Sequence, residues 1–247
     1  MRLDQYLAHT YHFTRNKSQR LIKSGLISLG GKILIKPAHE VDSGDIIEIK
    51  EDKSIVWVSR SAGKLDGFLE ELHSKRVSFE VIWKKCLDIG SSTGGFTQIL
   101  LERWADHIDA VDVGTEQLHS SIRANPKVNT YENTDIRKFQ ISQSSPQTYD
   151  VITIDVSFIS LWEIIPELER FTDIHTEIFL LFKPQFEVGR ENLRKTWVPK
   201  NEWSIIKALR DFEKVLSQKW YKVLYMSKST VVGEAGNQEY MFFIKKR

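Results

Sequence analysis

From residue 84 onward short apolar runs alternate with amphipathic stretches, and this alternation restricts the fold more than any other feature. KKCLDIG reads as a strand and GGFTQILLERW as a helix, with Phe96, Ile99, Leu100 and Trp104 on one side. HIDAVDVG is a strand, TEQLHSSIRA a helix, VNTYENTD a weaker strand and YDVITIDVS a strong one. FISLWEIIPELERF is a helix, and TEIFLLFKPQ is another buried strand. The long helix NEWSIIKALRDFEKVLSQKW follows, and YKVLYMS and EYMFFIKK close the chain as strands. Strand–helix alternation predicts an α/β fold, a parallel sheet with helices on both faces. Ligands of such sheets bind beyond the carboxyl ends of the strands.

The chain before this region is different. With 247 residues there is room for a second, smaller domain. Residues 5 to 39 carry Arg15, Lys17, Arg20, Lys23, Lys32 and Lys36 and no acid, a local charge of +6 in a chain of net charge +2. Charge segregated in this way fits a polyanionic partner. DQYLAHTY reads as a helix with Leu3, Leu7 and Tyr11 on its buried face. Thr14 is placed to cap a second helix over 15–24, ending at Gly25, with Lys17, Arg20 and Lys23 on one side. LISLGGKILI reads as a hairpin turning at Gly30–Gly31, and VDSGDIIEI as a turn and a strand. This order of elements resembles the S4-type RNA-binding domain, a small α+β unit, over about 50 residues, and such domains dock folded RNA mainly through phosphates. The expected organisation is this domain over 1–50, a linker over 51–60 containing Trp57 and Arg60, and the large domain over 61–247.

The loop LDIGSSTGGF follows the first strand of the large domain. A phosphate-binding loop needs G-x-x-x-x-G-K-[ST], and here no lysine follows Gly95. A dinucleotide fingerprint needs G-x-G-x-x-G, and Ser92 stands where the middle glycine belongs. S-adenosylmethionine has no phosphate to cradle; it needs close backbone approach and carboxylates for its ammonium and ribose groups. Asp88 precedes the turn and is placed for the ammonium end. Asp112 follows Gly90 by 22 residues, the position of a ribose acid. Asp135, read as the end of the third strand, is placed for the adenine amino group. Each of the three is also where an acid commonly caps a helix.

Four charged residues stand out by context: Lys64 before the sheet, Asp155 ending the fourth strand, Lys183 ending the fifth, and Glu239 opening the last. Methyl transfer to a ribose hydroxyl needs a group that steers or takes the hydroxyl proton. A lysine held by acids can do this, and a second cation nearby favours its neutral form.

The motifs VSRSAGKL, LDIGSSTGGFTQILL, AVDVGTEQL, ENTDIR, DVSFISL, LLFKPQFEVGR and GNQEY resemble, in order, those of the TlyA (haemolysin A-like) ribosomal RNA methyltransferases, within the FtsJ-like 2′-O-methyltransferases. The resemblance spans nearly the whole chain. It implies a Rossmann-like methyltransferase sheet that uses S-adenosylmethionine. The catalytic lysine–aspartate–lysine–glutamate set maps onto Lys64, Asp155, Lys183 and Glu239. The donor site maps onto Asp88, Gly90, Ser91, Ser92, Gly94, Gly95 and Phe96, with Asp112, Val113 and Asp135. RNA contacts are expected at Arg15, Lys17, Arg20, Lys23, Lys32 and Arg60. The implied substrate is a cytidine ribose of ribosomal RNA at the subunit interface, and members with short termini are associated with the large subunit alone. The sequence departs from the family pattern in three places. Ser61 and Ala62 stand where Gly-Gly is frequent, VVGEAGN is less basic than the usual last loop, and ENLRKTWVPKN has less glycine than usual.

The single cysteine, Cys86, excludes a disulfide scaffold and a Cys-rich zinc site, and fits a reducing cytoplasm. MRLDQYLAHT has no apolar core of a signal peptide, and the run IFLLF is too short to span a membrane. The expectation is a cytoplasmic monomer without metal. Three other readings compete: a non-catalytic RNA-binding assembly factor, a membrane-damaging haemolysin and a small-molecule oxidoreductase.

Overall fold

A computed structural model of the chain describes residues 1–42, 44–50, 52, 55–140 and 148–247. Ser43 of the expected turn and Glu51, Lys53 and Ser54 of the expected linker lie outside the described residues. The chain forms two compact units, Met1–Ser59 and Arg60–Arg247.

In the first unit helices α1 (Leu3–Thr10) and α2 (Arg15–Lys23) accompany a three-stranded antiparallel sheet. Its strands are β1 (Ile27–Leu29), β2 (Lys32–Ile33) and β3 (Ile47–Ile49), in the order β2-β1-β3. The core gathers Leu3, Leu7, Leu21, Ile22 and Ile27. Thr14 caps α2 as expected, its hydroxyl accepting from Lys17 N at 3.2 Å. Tyr11 departs from expectation: α1 stops at Thr10, so Tyr11 leaves the buried face and stacks on Phe13 at 5.8 Å.

The second unit begins with α3 (Ala62–Ser74) and then builds a seven-stranded sheet. In chain order its elements are β4 (Lys85–Ile89), α4 (Gly95–Glu102), β5 (His107–Val111), α5 (Ser120–Arg123), β6 (Val128–Tyr131) and β7 (Val151–Ile154). Then come α6 (Leu161–Ile164), β8 (Glu177–Phe182), α7 (Pro184–Glu187), α8 (Glu202–Gln218), β9 (Tyr221–Lys228) and β10 (Tyr240–Lys246). The strand order is β6-β5-β4-β7-β8-β10-β9. The five strands β4 to β8 pair in parallel, as alternation predicts. β10 is antiparallel to both its neighbours, β8 and β9. The reason is the connection: residues 229–239 hold no crossover helix, and a parallel link needs about a dozen residues or more. Antiparallel insertion sets Tyr240, the first residue of β10, opposite Phe182, the last of β8.

Three helices differ from the sequence reading. TEQLHSSIRA is helical only at Ser120–Arg123, because the N–H groups of Glu116, Gln117 and Leu118 donate to the Glu132 carboxylate instead of to helix carbonyls. Arg123 and these N–H groups draw the pKa of Glu132 down to about 2. The helix after β7 is α6 continued by a 3-10 turn over Ile165–Arg170, where Pro166 removes a backbone donor. Trp104 lies beyond the end of α4 with φ +64° and is 64% exposed, so it does not share the buried face of Phe96, Ile99 and Leu100. The long α8 buries Ala208, Phe212 and Leu216, with Phe212 edge-on to Phe242 at 5.5 Å. Its apolar face is thereby spent on the sheet.

Candidate active site

Three strand ends and one helix turn deliver the chemistry to one edge. β7 ends at Ile154, so Asp155 is the next residue out; β8 ends at Phe182, so Lys183 is. β10 starts at Tyr240, so Glu239 stands beside Lys183 because β10 is antiparallel. The first turn of α3 supplies Lys64. All four expected catalytic residues meet here. Lys183 Nζ lies 2.7 Å from Asp155 Oδ1 and donates to Ser157 Oγ at 2.7 Å. Lys64 Nζ donates to Glu239 Oε2 at 2.6 Å. Lys64, Lys183 and Glu239 are buried. Burial opposes ionisation of Asp155, but the charges of Lys183 and Lys64 and the hydrogen bonds from Lys183 and Ser61 outweigh it, holding the carboxyl below its ordinary range.

Three supporting side chains were not singled out in the sequence as site residues. Ser61 Oγ donates to Asp155 Oδ2, the oxygen that Lys183 leaves free. Gln185 Nε2 donates to Glu239 Oε1 at 3.1 Å. Ser157 fixes the Lys183 ammonium. Ser157 and Gln185 each sit two residues beyond an expected catalytic residue in DVS and KPQ, a spacing that was available as a signal. Ser61 was visible only as a departure from Gly-Gly. Gly233 matters by absence of a side chain: a Cβ there would lie 2.3 Å from Glu239 Oε1.

Beside this set lies a cavity of about 670 Å³, in the size range of small-molecule sites. Gly90, Ser92, Asp112, Val113, Asp135 and Asp155 are among its lining residues. The glycine is required where the loop passes β7, since a Cβ on Gly90 would lie 2.7 Å from the Asp155 carbonyl oxygen. Asp112 follows β5 directly and is held by the loop backbone: Oδ2 accepts from Ser92 N at 2.8 Å and Oδ1 from Gly114 N at 2.6 Å. Val113, 69% exposed, flanks it with apolar surface. β6 ends at Tyr131, so Asp135 is four residues past the strand, not at its end. It is chelated by Arg137 at 2.7 Å, which lowers its pKa.

The remaining expected donor-site residues are placed elsewhere. Asp88 is fully buried, accepting from Thr97 Oγ1 at 2.5 Å and from Thr153 Oγ1 at 2.7 Å. Ser91 is buried, Gly94 and Gly95 open α4, and Phe96 is packed in the interior; none of them, nor Asp88, lines the cavity. Desolvation without a nearby cation raises the pKa of Asp88 to about 6, partly offset by the two threonine hydroxyls.

In the first unit the basic residues are unequal. Arg15 Nε approaches the buried Asp4 at 3.5 Å, and Arg2 and Gln19 also donate to that carboxylate. Arg20 Nη2 donates to the Trp57 carbonyl at 3.1 Å. Lys17 lies over the Phe13 ring at 4.8 Å. Lys23 and Lys32 are exposed. Arg60 is exposed and belongs to the second unit.

Comparison with known proteins agrees with this architecture. Residues 57–246 match the family described as FtsJ-like methyltransferase, and residues 1–47 match the S4 domain. The 23S rRNA (cytidine-2′-O)-methyltransferase TlyA of Campylobacter jejuni is 40% identical over 263 residues, which cover 100% of both chains. The 16S/23S rRNA (cytidine-2′-O)-methyltransferase TlyA of Mycobacterium tuberculosis is 32% identical over 94% of this chain and 84% of its own. A solved hemolysin-like protein of Streptococcus thermophilus is 30% identical, with a TM-score of 0.74 over 100% of this chain and 88% of its own. With its large unit matched almost end to end, this chain belongs to the FtsJ-like methyltransferase family and carries an S4 domain at its amino end.

Proposed function

We propose that this protein transfers the methyl group of S-adenosylmethionine to the 2′-hydroxyl of a cytidine in ribosomal RNA, in the large subunit. The observation that carries the reading is the pair of buried ion pairs, Lys183–Asp155 and Lys64–Glu239, at the rim of a cavity shared with Asp112. The S4 domain supplies an RNA-binding unit, and the Campylobacter and Mycobacterium relatives are named for this reaction on 23S and on 16S and 23S RNA.

The cavity residues fit the methyl donor. Each Asp112 oxygen is positioned by a backbone N–H and keeps a second lone pair for a ribose hydroxyl. Gly90 lets the loop pass close to the Asp155 carbonyl and lines the cavity, and Val113 offers an apolar flank. When bound, S-adenosylmethionine supplies an electrophilic sulfonium methyl, to which the 2′-oxygen bonds as the carbon–sulfur bond breaks and the hydroxyl proton departs.

Lys183 Nζ has three donor positions as an ammonium; Asp155 and Ser157 occupy two. In the amine form that third position is a lone pair, which takes the 2′-hydroxyl proton as the methyl group bonds to the oxygen, and the ammonium so formed is held by Asp155. Asp155 serves as an ionised anchor, since the lysines hold its pKa down. Lys64, fixed by Glu239, adds a second positive centre whose field reaches Asp155. Burial of the set excludes water and strengthens each of these interactions.

The test is transfer of a labelled methyl group to unmodified ribosomal subunits, small and large assayed separately. Label in the large subunit, at a ribose that then resists alkaline cleavage, is the expected result. No label in either subunit with donor binding intact overturns the proposal in favour of a non-catalytic assembly factor.

A further inference from the structure

The segment ENLRKTWVPKN, one of the departures from the family pattern, folds into a compact hairpin. Leu193 and Pro199 form an antiparallel bridge, Arg194 N donates to Val198 O at 2.9 Å, and Lys200 N donates to Asn192 O at 2.8 Å. The tip is Arg194-Lys195-Thr196-Trp197, closed by a 3.0 Å bond from Trp197 N to Arg194 O. Every tip residue is exposed, and the Trp197 ring stands out from a backbone at φ +59°. Neither Arg194 nor Lys195 is in an ion pair among the described residues. The hairpin is fastened to the active site: the buried Asn237, two residues before Glu239, donates from Nδ2 to the Trp197 carbonyl at 3.1 Å.

A solvent-exposed indole costs hydration unless something covers it, and here two unpaired cations accompany it. That combination fits an unpaired nucleotide, whose base stacks on an aromatic face while its phosphates meet the cations. Trp83 and Trp104 are more exposed, 67% and 64% against 48% for Trp197, but they precede β4 and β5 and so lie at the opposite, amino-terminal edge of the sheet. Trp197 belongs to the catalytic edge.

We infer that the Arg194–Trp197 hairpin is a second RNA-binding element, in which Trp197 stacks on an unpaired base near the target ribose and Arg194 and Lys195 hold the adjoining phosphates. The inference rests on the RNA-methyltransferase reading above.

The experiment compares binding of fluorescein-labelled RNA, a stem with an unpaired loop against a continuous duplex, to the full chain and three variants. The wild type should prefer the loop. Trp197→Ala should lose about tenfold of loop affinity while duplex affinity changes little, and Trp197→Phe should restore most of the loss. The double variant Arg194→Ala/Lys195→Ala should flatten the dependence of log affinity on log salt by about one to two. Donor binding should be unchanged in all, which controls for folding. If Trp197→Ala binds the loop like the wild type, while the wild type methylates ribosomal subunits, the inference fails and the proposed function stands. If Trp197→Ala weakens binding to whole subunits and not to protein-free RNA, the occupant is a ribosomal protein and the RNA assignment is overturned. If the wild type neither binds RNA nor methylates a subunit, the underlying reading has failed instead.

Discussion

Two carboxylates of the same sheet, the buried Asp88 of β4 and the part-buried Asp155 just past the end of β7, have opposite fates. Asp88, inside β4, pairs across the sheet with Thr153 of β7, and Asp155 comes two residues after that threonine. Both have lost water. Asp155 meets Lys183 and the field of Lys64, and its pKa falls. Asp88 meets neutral donors, the Thr97 and Thr153 hydroxyls and the Thr97 backbone, and its pKa rises to about 6. Burial alone therefore does not identify a catalytic acid. What separates the two is whether the next element brings a cation, and at this edge that depends on the end of β8 and on the first turn of α3. Asp88 ties the strand to α4 through Thr97 and acts as a structural strut; Asp155 anchors a lysine.

The largest effect should come from removing that lysine. Lys183→Ala leaves Asp155 without its nearest counter-charge and deletes the group proposed to face the 2′-oxygen. Proton-transfer groups contribute about 10²–10⁴-fold, so methyl transfer should fall by about 10³-fold, while donor binding, measured by calorimetry, persists at Asp112 and the glycine loop. Unchanged turnover would remove Lys183 from the mechanism and erase the contrast with Asp88.

The other half of the comparison is tested through stability. Because the folded state raises the pKa of Asp88 from 3.8 to about 6, the folded protein keeps a proton there that the unfolded chain has released. Between pH of about 4 and about 6 this group makes stability fall as pH rises, and above that window the penalty is constant. The shift corresponds to about 3 kcal/mol. In Asp88→Asn the titration is gone, so the difference between variant and wild type in urea denaturation should grow in the variant's favour from pH 4 to pH 7. A flat difference across that window would mean that Asp88 meets a counter-charge in solution.

The sequence makes the parallel half of this edge legible because each of its strands ends at the same side, so Asp112, Asp155 and Lys183 can be placed from strand ends alone. Glu239 cannot be placed that way. Its position depends on β10 running antiparallel, and the deciding signal was the missing crossover over 229–239. Asp88 and Asp135 show the limit of the strand-end argument. A residue within β4 points toward α4 instead of the cavity, and the turn after β6 carries Asp135 out to Arg137. Helix lengths near α5 were overestimated because long-range acceptance by Glu132 competes with local hydrogen bonding, and periodicity does not register such a partner. The basic stretch 5–39 looked acid-free because the acid that tethers Arg15 is Asp4, one residue outside it.

The smallest effect concerns Ser61, a positioning residue for Asp155. The carboxylate has two oxygens; Lys183 takes one and the Ser61 hydroxyl the other. A chain with glycine at this place must leave that oxygen to solvent or to another donor. Hydrogen bonds to charged groups are worth about 1.5–3 kcal/mol when both partners are buried, and partial replacement by water at this edge reduces that, so Ser61→Gly should lower kcat by about tenfold with little change in KM for the donor. Loss of a donor to the ionised form raises the Asp155 pKa toward its ordinary value. The groups that oppose the rise are Lys183 at the end of β8 and Lys64 on α3, while Asp88 on β4 adds to it. The acid limb of the pH–rate profile should therefore move to higher pH in Ser61→Gly and return in Ser61→Thr. A packing role alone would lower stability and leave that limb in place, and this outcome would make Asp155 dependent on its lysines only.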